Sequence, residues 1–165
     1  MPDDDFVEQI YSASYARLVG QFFLICGGDL AAAEDIVSEA FVRAVAHARS
    51  FRRTENPEAW LRRVALNVHH SKWRRMKTYA GLEHKIPRGG ETVDLTADHV
   101  TLLSALRALP VSQREAIVLH HLADRPVLEV AATLGVPVGT VKARLSRGRA
   151  ALAVALADLE EEPHV

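Results

Sequence analysis

The sequence predicts an all-α protein made of two small helical domains joined by a flexible linker. Apolar residues recur every three or four positions through most of the 165 residues, which is the spacing of amphipathic helices. No stretch shows the alternation of apolar and polar residues that is typical of strands. The helical periodicity disappears from about 78 to 98, where Pro87, Gly89 and Gly90 indicate a linker.

Two helices are predicted at the start of the first stretch. The apolar positions of the first helix run over about 6–23, and Gly27-Gly28 ends it. Asp29 is a suitable cap for the second helix because its carboxylate can accept a hydrogen bond from a free backbone amide. The apolar positions of this second helix run over 30–45.

A loop and one further helix complete the first stretch. The loop is predicted at 50–56. Asn56 and Pro57 form a start signal for the next helix, with asparagine as the cap and proline at the first helical position. This helix ends in the basic run 72–77. Together, residues 6–77 are predicted to form the first domain.

The second stretch, 99–159, contains four predicted helices. The first ends at Pro110, and the next is predicted to begin with a capping box formed by Ser112 and Glu115. A short helix follows at about 126–134, Gly135 allows a tight turn, and a long helix runs over about 137–159. Two helices joined by such a turn form a helix-turn-helix, whose second helix enters the major groove of DNA.

Charge is distributed unevenly along a chain whose net charge is only −1. Residues 1–42 hold eight acidic residues and one basic residue, whereas 43–88 hold twelve basic residues and three acidic ones. Four cations lie within 142–149, on the second helix of the predicted helix-turn-helix. This pattern suits one anionic partner and a second, different partner.

The long final helix has a predicted buried stripe at Val141, Leu145, Gly148 and Leu152. Arginine can bind guanine through two hydrogen bonds, while lysine and serine suit phosphates. The side chains left on the other faces are candidates for DNA contact: Thr140, Lys142, Ala143, Arg144, Ser146, Arg147 and Arg149. Taken alone, the same pattern would also fit a helical corner with a solvated basic face.

Four blocks extend this pattern beyond a single helix-turn-helix. They read AEDIVSEAFVRAVAHARSFR, NPEAWLRRVALNVHHSKWRR, LPVSQREAIVLHHL and VLEVAATLGVPVGTVKARLSRGRAAL. In this order they resemble the conserved regions two and four of the extracytoplasmic-function (ECF) group of bacterial RNA polymerase sigma factors. The resemblance covers about 6–77 and 100–156. It implies a region-2-like helical bundle at 6–77, a linker at 78–98 and a region-4-like helix-turn-helix at 99–159.

The resemblance also implies three interaction surfaces for a subunit that binds core RNA polymerase, recognises a promoter and opens its DNA. The second helix would bind the clamp helices of the polymerase β′ subunit through Asp35, Ser38, Glu39 and Arg43. The −10 element would be held by Phe51, Arg52, Arg53, Asn56, Arg62, Arg63, Asn67, His70 and Arg74. The −35 element would be bound by the candidates on the final helix, close to the β flap of the polymerase.

The remaining expectations are mostly absences. A single cysteine, Cys26, excludes a disulfide within the chain, and the pairs His69-His70 and His120-His121 point about 100° apart on a helix, which disfavours shared metal binding. We therefore expect no catalytic residue, metal or cofactor. The acidic N-terminus and the lack of an apolar run of about 18–20 residues predict a cytoplasmic protein without membrane insertion.

Two alternatives to a sigma factor stay open from the residues alone. A stand-alone helix-turn-helix transcriptional regulator would bind double-stranded DNA without the polymerase. A helical adaptor that binds only protein would tolerate charge reversal at Arg144 and Arg147. Many relatives in the resembled family are held inactive by an anti-sigma factor, which makes such a factor a further candidate partner.

Overall fold

The computed structural model describes residues 2–79 and 94–161, and over these residues all regular structure is helical, as predicted. A five-residue π-helical turn, Val118–Leu122, follows the sixth α-helix. The α-helices, in chain order, are α1 (Asp3–Ile25), α2 (Leu30–Ala46), α3 (Ala48–Arg52), α4 (Pro57–Tyr79), α5 (Ala97–Arg107), α6 (Val111–Ile117), α7 (Val127–Leu134) and α8 (Val138–Glu161).

The helices form two compact units. The first unit contains α1 up to Phe22 and helices α2–α4. The second contains Phe23–Gly28 and helices α5–α8. Most of the predicted linker, 78–98, lies outside the described residues; α4 continues to Tyr79, and Thr96 caps α5 through its hydroxyl.

The helix starts follow the local sequence signals at two of three predicted places. The carboxylate of Asp29 accepts a hydrogen bond from the amide of Ala32 at 3.0 Å. The side chain of Asn56 accepts one from the amide of Ala59 at 3.1 Å. The predicted capping box of α6 is wrong, because the helix starts one residue before Ser112 and makes no side-chain cap.

In the core of the first unit α2 packs on α4, and α1 contributes the buried Leu18 and Phe22. The apolar stripe predicted for α2 is buried at Ala33, Ile36, Val37, Ala40, Phe41 and Ala44. Opposite it, α4 buries Leu61, Ala65 and Leu66. Val45 was expected in the same stripe of α2, but it is exposed. Burying one such large side chain contributes about 1.5–3 kcal/mol, so the α2–α4 contact is a major source of stability.

The core of the second unit is formed where α8 packs on α5, α6 and α7. The Ile117 side chain of α6 packs directly on Gly148, so that a Cβ atom at this position would lie 2.8 Å from it. Arg114 fixes the end of α5 by donating to the carbonyls of Leu106 at 3.0 Å and Leu109 at 3.3 Å. Burial lowers the pKa of Arg114, which still carries its charge because arginine does not deprotonate in proteins.

Candidate nucleic-acid and partner interfaces

The helix-turn-helix is formed by α7, a tight turn and α8. Gly135 has a φ of 68°, the left-handed conformation that glycine adopts readily, and it ends α7 as predicted. The amide of Val136 donates to the carbonyl of Ala131 at 3.1 Å, which closes the turn. Val130 of α7 and Val141 and Leu145 of α8 are buried, and α7 packs on α8. The second helix is therefore held by its apolar face, and the opposite face is available.

The solvent side of α8 carries four cations, Lys142 and Arg149 along one flank and Arg144 and Arg147 along the other, and is called the α8 cationic face. Three of these side chains are exposed and Arg144 is partly exposed. Among the residues that the structure describes, none of the four forms an ion pair with a carboxylate. Ser146 is exposed between them, and Thr140 and Ala143 are partly exposed. The arrangement offers fixed donors to an anionic surface without first breaking internal ion pairs.

Two of the residues predicted to contact the −10 element are buried instead. Phe51 lies in α3, which takes the first three residues of the predicted loop 50–56, while 53–56 are irregular as predicted. Its side chain is 0% exposed between Phe6 and Trp60, at ring centroid distances of 5.8 and 4.9 Å. A side chain this deep in the core cannot stack on a base. The prediction for Phe51 is therefore wrong, because burying an aromatic ring is more favourable than exposing it in a loop.

The prediction that Arg62 contacts the −10 element is also wrong. Its side chain is 1% exposed and donates to Gln21 at 3.0 Å, and its guanidinium lies 3.3 Å from Glu58. Glu58 also pairs with Arg17 at 2.7 Å and raises the pKa of Arg17. Arg62 is on the α4 face that carries the buried Leu66, four positions later. It therefore acts inside the first unit and is not available to DNA.

The α4 polar stripe consists of Arg63, Asn67, His70 and Arg74. Their spacings of four, three and four place them on one face of the helix. Arg63, Asn67 and Arg74 are exposed, and His70 is half-buried. Trp73 lies beside this stripe, 39% exposed, with the ammonium of Lys77 4.4 Å from its ring centroid. An aromatic ring flanked by cations can stack on a base of single-stranded DNA.

The three predicted residues that precede α4 are used in different ways. Arg52 forms an ion pair with Asp3, with 3.2 Å between its Nη1 atom and the carboxylate Oδ1. Arg53 is exposed. Asn56 caps α4 through its side-chain oxygen, Oδ1, which accepts a hydrogen bond from the amide of Ala59. The structure thus brings the exposed Arg53 and Asn56 to the start of the helix that carries the α4 polar stripe.

The predicted polymerase-binding residues lie together along α2. Asp35, Ser38 and Arg43 are exposed, and Glu39 is half-buried and pairs with Arg43 at 3.0 Å. The hydroxyl of Ser38 lies 3.5 Å from that of Tyr15 in α1. These four side chains form a mixed, polar surface, called the α2 face, which suits a charged protein surface.

Beside this face lies an apolar groove that the sequence reasoning missed. It has a volume of 550 Å³ and is lined by Asp4, Val7, Glu8, Tyr11, Ser38, Phe41, Val42 and Val45. Val42 is 66% exposed and Val45 is 55% exposed. Contiguous exposed apolar side chains mark interaction sites on soluble proteins. One feature of the sequence could have indicated the groove: Val42 is a large apolar residue that lies outside the stripe that α2 buries.

Residues 2–79 and 94–161 contain no cluster of three or more His, Cys, Asp or Glu side chains placed to hold a metal ion. Over the same residues, no helix is both long and apolar enough to cross a membrane.

Comparisons with known proteins agree with this geometry. Residues 12–78 match the family described as Sigma-70 region 2, and residues 99–152 match Sigma-70, region 4. The chain is 31% identical over 172 residues to the ECF RNA polymerase sigma factor SigW of Bacillus subtilis (strain 168), an alignment that covers 94% of this chain and 87% of the relative. It is 32% identical to the ECF RNA polymerase sigma factor EcfG of Rhodopseudomonas palustris (strain TIE-1), with 82% of this chain and 77% of the relative covered.

A solved structure shares the fold. It is the co-crystal structure of the sigma factor RpoE in complex with the anti-sigma factor NepR from Bartonella quintana. The match has a TM-score of 0.77 at 27% sequence identity and covers 93% of this chain and 97% of the other. The similarity therefore extends over nearly the whole chain.

Proposed function

Because the chain belongs to the ECF group of RNA polymerase sigma factors, which serve promoter recognition and transcription initiation, we propose a specific division of labour among its surfaces. The α8 cationic face binds the duplex of the −35 element. The α4 polar stripe, with Arg53 and Asn56, binds the −10 element as its strands separate. The α2 face binds the core polymerase.

The observation that carries the −35 assignment is the availability of the α8 cations. In the described residues they have no carboxylate partner, and α7 and the turn hold the helix by its opposite side. Phosphate contacts supply much of the affinity for DNA, and arginine reads guanine edges in the major groove. Arg144 and Arg147 are assigned to base edges, together with Ala143 and Ser146, while Lys142, Arg149 and Thr140 are assigned to the backbone.

The −10 assignment depends on the α4 polar stripe and the neighbouring Trp73. A strand that leaves the duplex exposes base faces, which aromatic rings stack on, and phosphates, which cations follow. Arg63 and Arg74 supply the cations, and Asn67 supplies donors and an acceptor for a base edge. Phe51 and Arg62 are not part of this surface because both are buried.

The polymerase assignment depends on the α2 face and the apolar groove beside it. Asp35 and Glu39 offer carboxylates, and Val42 and Val45 offer apolar area at the same helix face. A polar rim beside an apolar patch is the usual composition of a protein–protein interface. We assign this surface to the β′ clamp helices and the second unit to the β flap.

The remaining assignments follow from membership of the family. The domains are taken as 6–77 and 99–159 with a linker at 78–98, and the chain itself catalyses no reaction. It acts in the cytoplasm, where the polymerase works. An anti-sigma factor is proposed as a further partner because the similar Bartonella quintana sigma factor was solved in complex with one.

Run-off transcription tests the proposed function directly. Purified bacterial core polymerase is combined with a library of genomic fragments, with and without this chain. We expect transcripts that depend on the chain, and their start sites define the promoter. Arg147→Ala should weaken −35 recognition and leave binding to the core polymerase intact. A complete lack of chain-dependent transcripts would overturn the proposal, and duplex binding without them would favour a stand-alone regulator.

A further inference from the structure

His121 lies in the π-helical turn Val118–Leu122, immediately before the helix-turn-helix. The amide of Ala123 donates to the carbonyl of Val118 at 2.8 Å, five residues back, which is the hydrogen bond that defines this turn. Single π-helical turns are uncommon and occur frequently at functional sites. The side chains of this turn are therefore candidates for a functional role.

The two histidines of this turn have different surroundings. The Nδ1 atom of His120 lies 2.7 Å from the carbonyl of Arg125, so this ring is engaged in the local fold. The ring of His121 packs against that of His120 at a centroid distance of 4.7 Å and is exposed. Its Nε2 atom lies 3.4 Å from Nη1 of Arg149 in α8.

Arg149 connects His121 to the α8 cationic face. It follows Ser146 by three positions and Lys142 by seven, so the three side chains share one face of the helix. All three are exposed. His121 therefore extends this face from α8 onto a second element of the same unit.

The protonation state of His121 follows from the hydrogen bond. Arginine has only donors, so Nε2 of His121 can only accept in this hydrogen bond, and the contact requires the neutral ring. The charged and titratable groups that face His121 are His120 in its own turn and Arg149 in α8. Although His121 is exposed, partial desolvation of its ring is the largest cause that lowers its pKa, and His120 and Arg149 lower the pKa further. In the free protein, protonation would place two cations against each other.

An anion bound between His121 and Arg149 would make protonation of His121 favourable. A phosphate can accept hydrogen bonds from Arg149 and from a protonated His121 at the same time, and opposite charge favours the protonated ring. We propose that His121 and Arg149 together bind one backbone phosphate of duplex DNA and that His121 takes up a proton when it does so. This inference rests on the proposed function of the α8 cationic face.

The proposal predicts the direction of the pH dependence. The pKa of His121 is higher in the complex than in the free protein, so the extra affinity is fully present below the free pKa. It is lost as the pH rises through the pKa of the complex. The affinity for duplex DNA should therefore fall as the pH rises from mildly acidic to mildly basic.

The test uses the full chain and a mixed-sequence duplex of about 30 base pairs, since backbone contacts do not depend on sequence. Fluorescence anisotropy gives Kd at about pH 5.5 and about pH 8, on either side of the usual histidine pKa. We expect the wild type to bind about five- to tenfold more tightly at the lower pH, the change that a pKa shift of up to one unit produces. His121→Ala should lose this difference, and His121→Arg should bind tightly at both pH values.

His99→Ala is the matched control, because His99 is an exposed histidine of the same unit. The change removes the 2.9 Å contact of its ring Nδ1 with the Thr96 hydroxyl but keeps the backbone amide of residue 99 that Thr96 caps. It should keep the wild-type pH dependence. Arg149→Ala should weaken binding at both pH values. Circular dichroism of each variant verifies that the helices are retained.

Nuclear magnetic resonance gives an independent measurement. The pKa of His121, followed through its ring Cε1–H signal, should rise when the duplex is added to the full chain. Unchanged pH dependence in His121→Ala, or an unchanged pKa on adding duplex, would overturn the inference while leaving duplex binding by α8 in place. Absence of wild-type duplex binding at both pH values would overturn the inference and the −35 assignment together.

Discussion

Helices α4 and α8 are similar in length, 23 and 24 residues, and both are rich in cations, but they place those cations differently. The four cations of α8 all lie away from its buried stripe of Val141, Leu145 and Gly148. Helix α4 carries six cations, and one of them, Arg62, is inside the core. Cation content alone therefore does not identify a nucleic-acid surface.

The difference arises from the register of each helix against its core. In α8 the residues of the buried stripe are apolar or glycine, so every cation falls on another face. In α4 the buried stripe passes through Arg62, Leu66 and His69, whereas the polar stripe begins one residue later at Arg63. A shift of one position, about 100°, separates a structural arginine from one that can contact DNA.

The strongest test of this comparison is Arg62→Ala. Removing the buried guanidinium leaves Gln21 without its donor and opens a cavity, while Glu58 keeps its ion pair with Arg17. The change should cost about 2–4 kcal/mol of unfolding free energy. Urea unfolding monitored by circular dichroism measures the loss.

The matched control for Arg62 is its exposed neighbour. Arg63→Ala should change the free energy of unfolding by less than about 0.5 kcal/mol, as surface substitutions usually do, and should weaken binding of single-stranded −10 DNA. Normal stability of Arg62→Ala combined with defective promoter opening would show that Arg62 contacts DNA after all.

The sequence predicted the features that depend on neighbouring residues. The all-α class is confirmed for the described part of the chain, as are the caps at Asp29 and Asn56 and the turn at Gly135. The predicted stripe of α8 is buried except at Leu152, which is half-buried. Each of these requires only a short pattern of residue types. A family resemblance added the function, which the comparisons support.

The features that the sequence did not predict depend on distant partners. Arg62 is buried because Gln21, 41 positions away, accepts its hydrogen bond. Phe51 is buried because α3 brings it between Phe6 and Trp60. The π-helical turn has no local signature at 118–122, and Val42 and Val45 line a groove that also involves Tyr11 of α1. None of these is encoded by periodicity within a single helix.

Arg147→Ala tests the second half of the comparison, that α8 cations act outside the fold. Loss of a contact to a guanine edge should cost about 1–3 kcal/mol of DNA affinity and relax specificity at one base pair. Anisotropy with −35 duplexes taken from the mapped promoters measures the loss. The free energy of unfolding should stay within about 0.5 kcal/mol of the wild type.

Lys142→Ala separates a base contact from a phosphate contact on the same helix. It should weaken binding equally for all duplexes and reduce the salt dependence by about one unit of slope. If Arg147→Ala behaved in the same uniform way, its assignment to a base edge would be wrong, although its place on the DNA-binding face would stand.

Gly148→Ala tests the buried side of α8. The new Cβ would meet Ile117 at 2.8 Å, and the overpacking should outweigh the helix propensity gained, for a net loss of about 1–2 kcal/mol. Gly139→Ala is the matched control on the same helix, since nothing lies within 4 Å of its Cβ position. Thermal unfolding should show opposite signs for the two variants, and equal effects would contradict the close packing.

The smallest expected effect concerns Asn56, for which the cap and the predicted base contact require different atoms. Asn56→Ala removes the acceptor that caps α4 and should cost about 1 kcal/mol of unfolding free energy. Asn56→Asp keeps an acceptor, and its charge suits the positive helix N-terminus, so stability should be retained. The aspartate lacks the amide donor. Full stability of Asn56→Asp with normal run-off transcription would therefore assign Asn56 to the cap alone, whereas full stability with defective promoter opening would place its amide on the −10 strand.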